Sequence, residues 1–216
     1  MGLTTAKKFL LLTERIDRKP ALRTRFTSQS YFVLATILDL IDTGTLAVEH
    51  DELQMKSDQP SWPYLSNLFK QLGQAVKADA HLKNALQPIT SWDIANQIYD
   101  GIGTELLSDG QVERVPFQNN LKQHIIYVPT ETARESTKNQ LVAGLTADEP
   151  TPTAMNLLAI FQASQALQWV ITDQQQRQFI LQELAGNNHY LSRNDFVQSA
   201  ADVITQKRFW LDSWLS

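Results

Sequence analysis

The sequence predicts a mainly α fold: a single-domain helical bundle over residues 1–216, built around a buried central helix, with short β-hairpins after two helix–glycine–strand units. Three observations predict it. The stretches LIDTGTLAVE (residues 40–49) and LLSDGQVERV (residues 106–115) share one pattern: the last turn of an apolar helix, a glycine stop, then an alternating strand. Residues 33–41 are apolar on more than one face, as a helix enclosed by others must be. From Thr130 onward apolar residues recur only with helical spacing.

A first helix is expected over residues 4–16, burying Phe9, Leu10 and Leu12 with Lys7 and Lys8 outside, and Pro20 prevents its continuation. Ser28 or Ser30 caps the central helix, which runs to Thr43 with Val33, Leu34, Ile37, Leu38, Leu40 and Ile41 as its apolar set. Ala35, Asp39 and Asp42 form its only polar stripe. Gly44 suits the left-handed position past a helix end, and Leu46, Val48 and Leu53 read as a short strand and its return. Pro60 and Pro63 punctuate a loop before a third helix over residues 64–78, and Pro88 closes a shorter piece around residues 82–86.

Thr90 with Asp93 fits a capping box for a helix that buries Ile94, Ile98, Ile102 and Leu106. Gly101 and Gly103 weaken that helix by about 1 kcal/mol each relative to alanine. Gly110 stops it. Residues 111–115 begin a strand, residues 116–120 turn, and HIIYV at 124–128 returns, making a hairpin of residues 112–128. The C-terminal helices occupy residues 130–216: one over 131–145, one over 154–171, and two more capped by Asp173 and by Ser192 with Asp195. In the final RFWLDSWLS, Trp210 and Trp214 stand one helical turn apart, a spacing suited to a docking face.

The chain has no cysteine, which removes disulfides, thiolate metal sites and cysteine nucleophiles. No apolar run reaches the roughly 20 residues of a membrane span, and the cluster at 9–12 is shorter than a signal-peptide core. A cytoplasmic protein is expected. His50, His81, His124 and His189 are scattered, so no metal site is predicted. Gly101-Ile102-Gly103 lies within a helix, without the strand–turn–helix context of a phosphate loop, and no serine sits in a nucleophile elbow. Asp51-Glu52 and Asp148-Glu149 fall in polar loops. The residues therefore predict no enzyme and no cofactor.

The net charge of −4 conceals an asymmetry. Residues 1–25 carry seven cations (Lys7, Lys8, Arg15, Arg18, Lys19, Arg23, Arg25) against Glu14 and Asp17, a local charge of +5, while the remainder carries −9. A basic end on an acidic body suits phosphate or anionic lipid, or is simply the solvated face of the first helix. The 112–128 hairpin carries Val112, Val115, Ile125, Ile126 and Val128, with Phe117 and Leu121 near its tip. Such a tip inserts into a partner subunit or a membrane surface, or folds back on the core.

The order of TAKKFLLLTE, DLIDTGTLAVE, TELLSDGQVE, IIYVPT and NLLAIFQAS, over roughly residues 3–167, resembles the Golgi phosphoprotein 3 family of phosphatidylinositol-4-phosphate-binding proteins, in a compact form like its bacterial members. The resemblance implies a helical domain around a buried central helix, a peripheral membrane role, a basic tryptophan-containing headgroup pocket, and a hairpin that supports self-association. The chain departs from that pattern at the pocket: Tyr99, Gly101, Phe32 and Val33 stand where arginines are expected, and no tryptophan falls near residues 23–26. None of the headgroup contacts carries over, and Arg23 and Arg25 are the local substitutes for gripping an anionic headgroup.

The leading expectation is a non-enzymatic peripheral membrane or adaptor-like protein that meets an anionic phospholipid headgroup or a protein partner. Two alternatives stand beside it. A winged-helix DNA-binding regulator needs cations on the helix at residues 94–107, which has none and carries Asp100 and Glu105. A ligand-free scaffold self-associates into a homo-oligomer through the hairpin, with Phe117 and Leu121 as contacts.

Overall fold

The computed structural model describes residues 4–15, 22–57, 59–119 and 122–214. In the first half, α1 (Thr4–Thr13) and α2 (Leu22–Asp42) precede the hairpin β1 (Leu46–Glu49) and β2 (Glu52–Met55), then α3 (Ser66–Ala78), α4 (Leu82–Ala85) and α5 (Trp92–Ser108). A second hairpin, β3 (Val112–Asn119) and β4 (Lys122–Pro129), leads to α6 (Glu131–Leu145), α7 (Pro152–Ala163), α8 (Leu167–Val170), α9 (Gln174–Leu184) and α10 (Asn188–Trp214). The fold is mainly α with two short antiparallel hairpins, as the sequence predicts.

The apolar run in α2 has no solvent-facing side. Val33, Leu34, Ala35, Ile37 and Leu40 are fully buried, because α1, α5, α7 and α10 all pack against this helix. The helix starts at Leu22, so Ser28 and Ser30 lie inside it and do not cap it. Ser30 instead donates its hydroxyl to the Phe26 carbonyl at 3.0 Å, one turn back, which satisfies the group in a buried place.

The expected polar stripe is also wrong for its central member. Asp39 is buried, and its two carboxylate oxygens accept the backbone N–H groups of Thr5 and Ala6 at 2.8 and 2.9 Å. It thus caps α1 from another helix, supplying acceptors that a helix N-terminus lacks internally. Burial raises its pKa from 3.8 to about 6, against the lowering effect of those two hydrogen bonds. One turn on, Asp42 Oδ1 lies 2.6 Å from Arg193 Nη1 on α10, and Asp42 Oδ2 accepts Asn156 Nδ2 of α7 at 2.8 Å. Asn156 also takes a hydrogen bond from Arg193 at 2.6 Å and donates to Thr5 at 3.2 Å. Four helices meet at this cluster.

α1 ends at Thr13, three residues before the expected end, and its final carbonyls explain why. Arg134 of α6 donates to the Leu12 oxygen at 3.2 Å and to the Glu14 oxygen at 2.6 Å. Lys7 and Lys8 are half-buried rather than outside, since α1 is flanked by α2, α6 and α7.

Both glycine stops behave as predicted. Gly44 (φ 71°) and Gly110 (φ 68°) are left-handed, with Thr45 N donating to Leu40 O and Gln111 N to Leu106 O, the bond pattern that closes a helix past such a residue. β1 and β2 turn through His50 and Asp51, both at positive φ, which matches the twist of a two-residue hairpin. β3 does not stop before Pro116: it continues to Asn119, with Pro116 opposite Ile125. A two-stranded ribbon leaves one edge of each strand unpaired, where a proline is tolerated.

Other boundaries also move. Ser91, not Thr90, caps α5, accepting from Ile94 N at 3.5 Å, while Thr90 donates to the Gln87 carbonyl. The helix expected over 154–171 breaks into α7 and α8 at Gln165, which takes φ 57° and lets Ala166 N reach Phe161 O. Ser192 lies inside α10, whose first turn is held by Asn187 Oδ1 accepting Tyr190 N at 3.0 Å.

The two glycines inside α5 make room for tyrosines. A Cβ on Gly101 would lie 2.3 Å from the Tyr64 ring, and one on Gly103 would lie 2.2 Å from the ring of the buried Tyr127. Gly103→Ala should therefore destabilise the protein by about 1–3 kcal/mol in denaturant titration. A gain near the 1 kcal/mol that helix propensity alone favours would show that Tyr127 is not held as described.

Asp39 sets a pH dependence of definite sign. Its folded pKa of about 6 lies above the ordinary 3.8, so the folded state keeps the proton that the unfolded state gives up. Wild-type stability should fall by up to about 3 kcal/mol as pH rises from 4 to 6, relative to Asp39→Asn, and then level off. Urea melts of both proteins across that range measure the difference, and parallel curves would contradict the assignment.

Candidate functional site

The positions from which the resemblance expects a headgroup pocket do converge, but they build core. Phe32 of α2 and Tyr99 of α5 have ring centres 6.3 Å apart, and Tyr99 stacks obliquely on Tyr127 at 5.4 Å. The Tyr99 hydroxyl accepts the Tyr127 backbone N–H at 2.9 Å, and burial drives its pKa upward. Val33 is fully buried, and Gly101 lies beneath Tyr64. Aromatic rings and a backbone bond fill the space between these positions. On the outer side, Tyr64 donates to Glu105 Oε1 at 2.7 Å and Lys7 approaches Glu105 Oε2 at 2.9 Å, so this carboxylate is committed to structure.

A tryptophan nevertheless lies beside the start of α2. Trp92, in the first turn of α5, has its ring centre 6.1 Å from that of Phe26 and is 38% exposed. Gln29 reaches Asn96 across the same seam at 3.4 Å. Arg23 and Arg25 belong to the first turn of α2, one helical turn before Phe26 and Gln29, but their side chains lie outside the described residues. Tertiary packing thus brings the Trp92 ring beside Phe26.

Phe117 and Leu121, the expected contacts at the hairpin tip, also fall outside what is described: Leu121 entirely, and Phe117 beyond its backbone pairing with His124. Among the described residues no group of histidines and carboxylates could hold a metal ion. His81 pairs with Asp51 at 2.8 Å on the surface.

Next to Trp92 a groove of about 590 Å³ runs between α3, the 3-10 turn Gln87–Thr90 and the far part of α10. The α3 wall is polar because α3 buries only its other face, Leu68, Phe69 and Leu72, and turns Asn67, Lys70, Gln71 and Gln74 to the groove. Opposite stand Gln87, Thr90 and Ser91 of the turn and Lys207 of α10. Among the described residues no carboxylate lines the groove, and neither lysine is paired with one. In a chain of net charge −4 this is a local reversal of sign.

Two residues beyond Lys207, α10 leaves the body and exposes aromatic surface. Phe209 is 73% and Trp210 64% exposed, directly after Lys207 and Arg208. Sequence reasoning found the aromatic pair at 210 and 214 but missed Phe209 and the two lysines. Lys70 and Lys207 are 137 residues apart, and no local signal joins them. No model of a known protein family matches this chain, and no curated protein matches it.

Being exposed and uncommitted, Phe209 and Trp210 should contribute little to folding. The double change Phe209→Ser/Trp210→Ser should leave stability within about 0.5 kcal/mol of wild type in thermal or urea melts. A larger loss would mean that the aromatic tip is packed in solution.

Proposed function

We propose that this chain is a non-enzymatic, peripheral membrane or adaptor-like protein that docks on an anionic bilayer surface through the end of the molecule that carries the tip of α10. The observation that carries the reading is the exposed Phe209–Trp210 pair with Lys207 and Arg208 before it. Aromatic rings partition to the bilayer interface, while neighbouring cations are drawn to anionic headgroups. The excess of cations in residues 1–25, including Arg23 and Arg25 at the start of α2, adds long-range attraction that salt screens. No described helix is long and apolar enough to cross a membrane, and the reading asks for none.

The order of segments that resembles the Golgi phosphoprotein 3 family supports the same membrane role, but by a different surface. The converging positions of that family's pocket are filled here by Phe32, Tyr99 and Tyr127, which offer no cation to a phosphoinositide. The proposal is therefore for anionic bilayer charge in general, rather than for a phosphatidylinositol-4-phosphate headgroup at those positions.

Vesicle sedimentation tests the proposal. Phosphatidylcholine vesicles containing phosphatidylserine should carry the protein down, and pure phosphatidylcholine should not. Phe209→Ser/Trp210→Ser should lower the partition coefficient by at least about tenfold, given roughly 1.5–3 kcal/mol for each large apolar side chain withdrawn from water. Arg23→Ala/Arg25→Ala should weaken binding by a smaller factor that vanishes at high salt. Equal recovery in the supernatant for both vesicle types, unchanged in either variant, would sink the membrane reading.

A further inference from the structure

The groove between α3 and α10 differs chemically from the aromatic tip, although Lys207 belongs to both. Two ammonium groups, Lys70 and Lys207, open on one concavity from different helices. Two like charges on one hollow raise the local positive potential and so attract an anion. Around them the walls are neutral but rich in hydrogen-bonding groups. Gln71 donates to Asn67 at 3.0 Å, which orients both amides and leaves the Asn67 nitrogen and the Gln71 oxygen to the groove. Gln74 makes no hydrogen bond among the described residues, and Thr90, whose proton is committed to Gln87 O, keeps its acceptor lone pairs.

Amides present a donor and an acceptor side by side, which is what a hydroxyl, itself donor and acceptor, needs. Compact ammonium groups serve a phosphate as point charges. The groove is open to solvent along one side, so a ligand would lie in it partly exposed. Among the described residues no aromatic side chain lines the hollow to stack on a base or a planar ring. We propose that this groove binds a small phosphorylated sugar or polyol, with its phosphate between Lys70 and Lys207 and its hydroxyls against Asn67, Gln71 and Gln74.

This site goes beyond the membrane reading and can fail separately from it. Isothermal titration with glucose 6-phosphate and glycerol 3-phosphate is the direct test, with glucose and inorganic phosphate as the partial ligands. At least one phosphorylated polyol should bind at least about tenfold more tightly than either partial ligand. Lys70→Glu and Lys207→Glu should each weaken it at least about tenfold, the scale of one charge-assisted hydrogen bond. Lys77→Glu, on α3 but outside the groove, makes the same charge change and should leave binding within twofold. All three lysines are exposed, and circular dichroism confirms that the variants fold.

The vesicle-binding variant separates the two sources of phosphate. Phe209→Ser/Trp210→Ser protein that has lost vesicles should still bind the soluble phosphorylated polyol. Heat from neither phosphorylated probe, inorganic phosphate binding as tightly as both, or an equal loss in Lys77→Glu would each overturn the proposal.

Discussion

The carboxylate of Asp39 on the first turn of α1 is the contact on which the arrangement depends. A central helix that is apolar all round can be surrounded in many rotational settings, because dispersion and hydrophobic burial have little direction. Asp39 removes that freedom. A buried carboxylate must find donors or bear a heavy desolvation cost, and the first turn of α1 offers them in the N–H groups of Thr5 and Ala6 and the Thr5 side chain. The Asp42–Arg193–Asn156 cluster repeats the logic one turn later and fixes α7 and α10 to the same end of α2. Register among the four helices is therefore set by polar groups, and the core supplies the free energy around them.

Holding α10 by its first turns at Arg193 has a consequence at its other end. The helix runs 27 residues, about 40 Å at 1.5 Å per residue. Its buried stretch, Phe196 to Ile204, carries it across the body, and beyond that stretch it exposes every described side chain. Lys207 is thereby delivered to the groove opposite α3, and Phe209 and Trp210 are carried past it into solvent. The groove wall at Lys207 and the aromatic tip are adjacent because they are successive positions on one rigid rod. The region around Phe32 and Tyr99 is filled: α5 is notched by Gly101 and Gly103, and tyrosine rings occupy the seam.

Features with short-range causes were legible in the sequence. Gly44 and Gly110 end their helices, Asp173 caps α9 by accepting from Gln175 and Gln176, and Ile94, Ile98, Ile102 and Leu106 line the buried face of α5. Each rests on contacts within a few residues, where backbone geometry and helical period decide the outcome. Ser30 and Thr90 misled because a small polar residue is equally satisfied by back-bonding within a helix or turn, and Ser28 and Ser192 because each lies inside its helix. Gln165 misled in the other direction, since a left-handed helix end without glycine carries no compositional mark.

By itself, then, the chain's order of residues determined the class of fold, the two glycine-terminated helices, the inner position of α2 and the charge imbalance of its first 25 residues. Only the tertiary structure decided that Asp39 faces inward, that Gly101 and Gly103 are seats for Tyr64 and Tyr127, that Trp92 stands beside Phe26, and that Lys70 and Lys207 share a groove. The physical reason is range. Helical period and end-capping are satisfied within a turn or two of chain, whereas a buried charge, a notch or a pair of cations takes its meaning from residues tens of positions away.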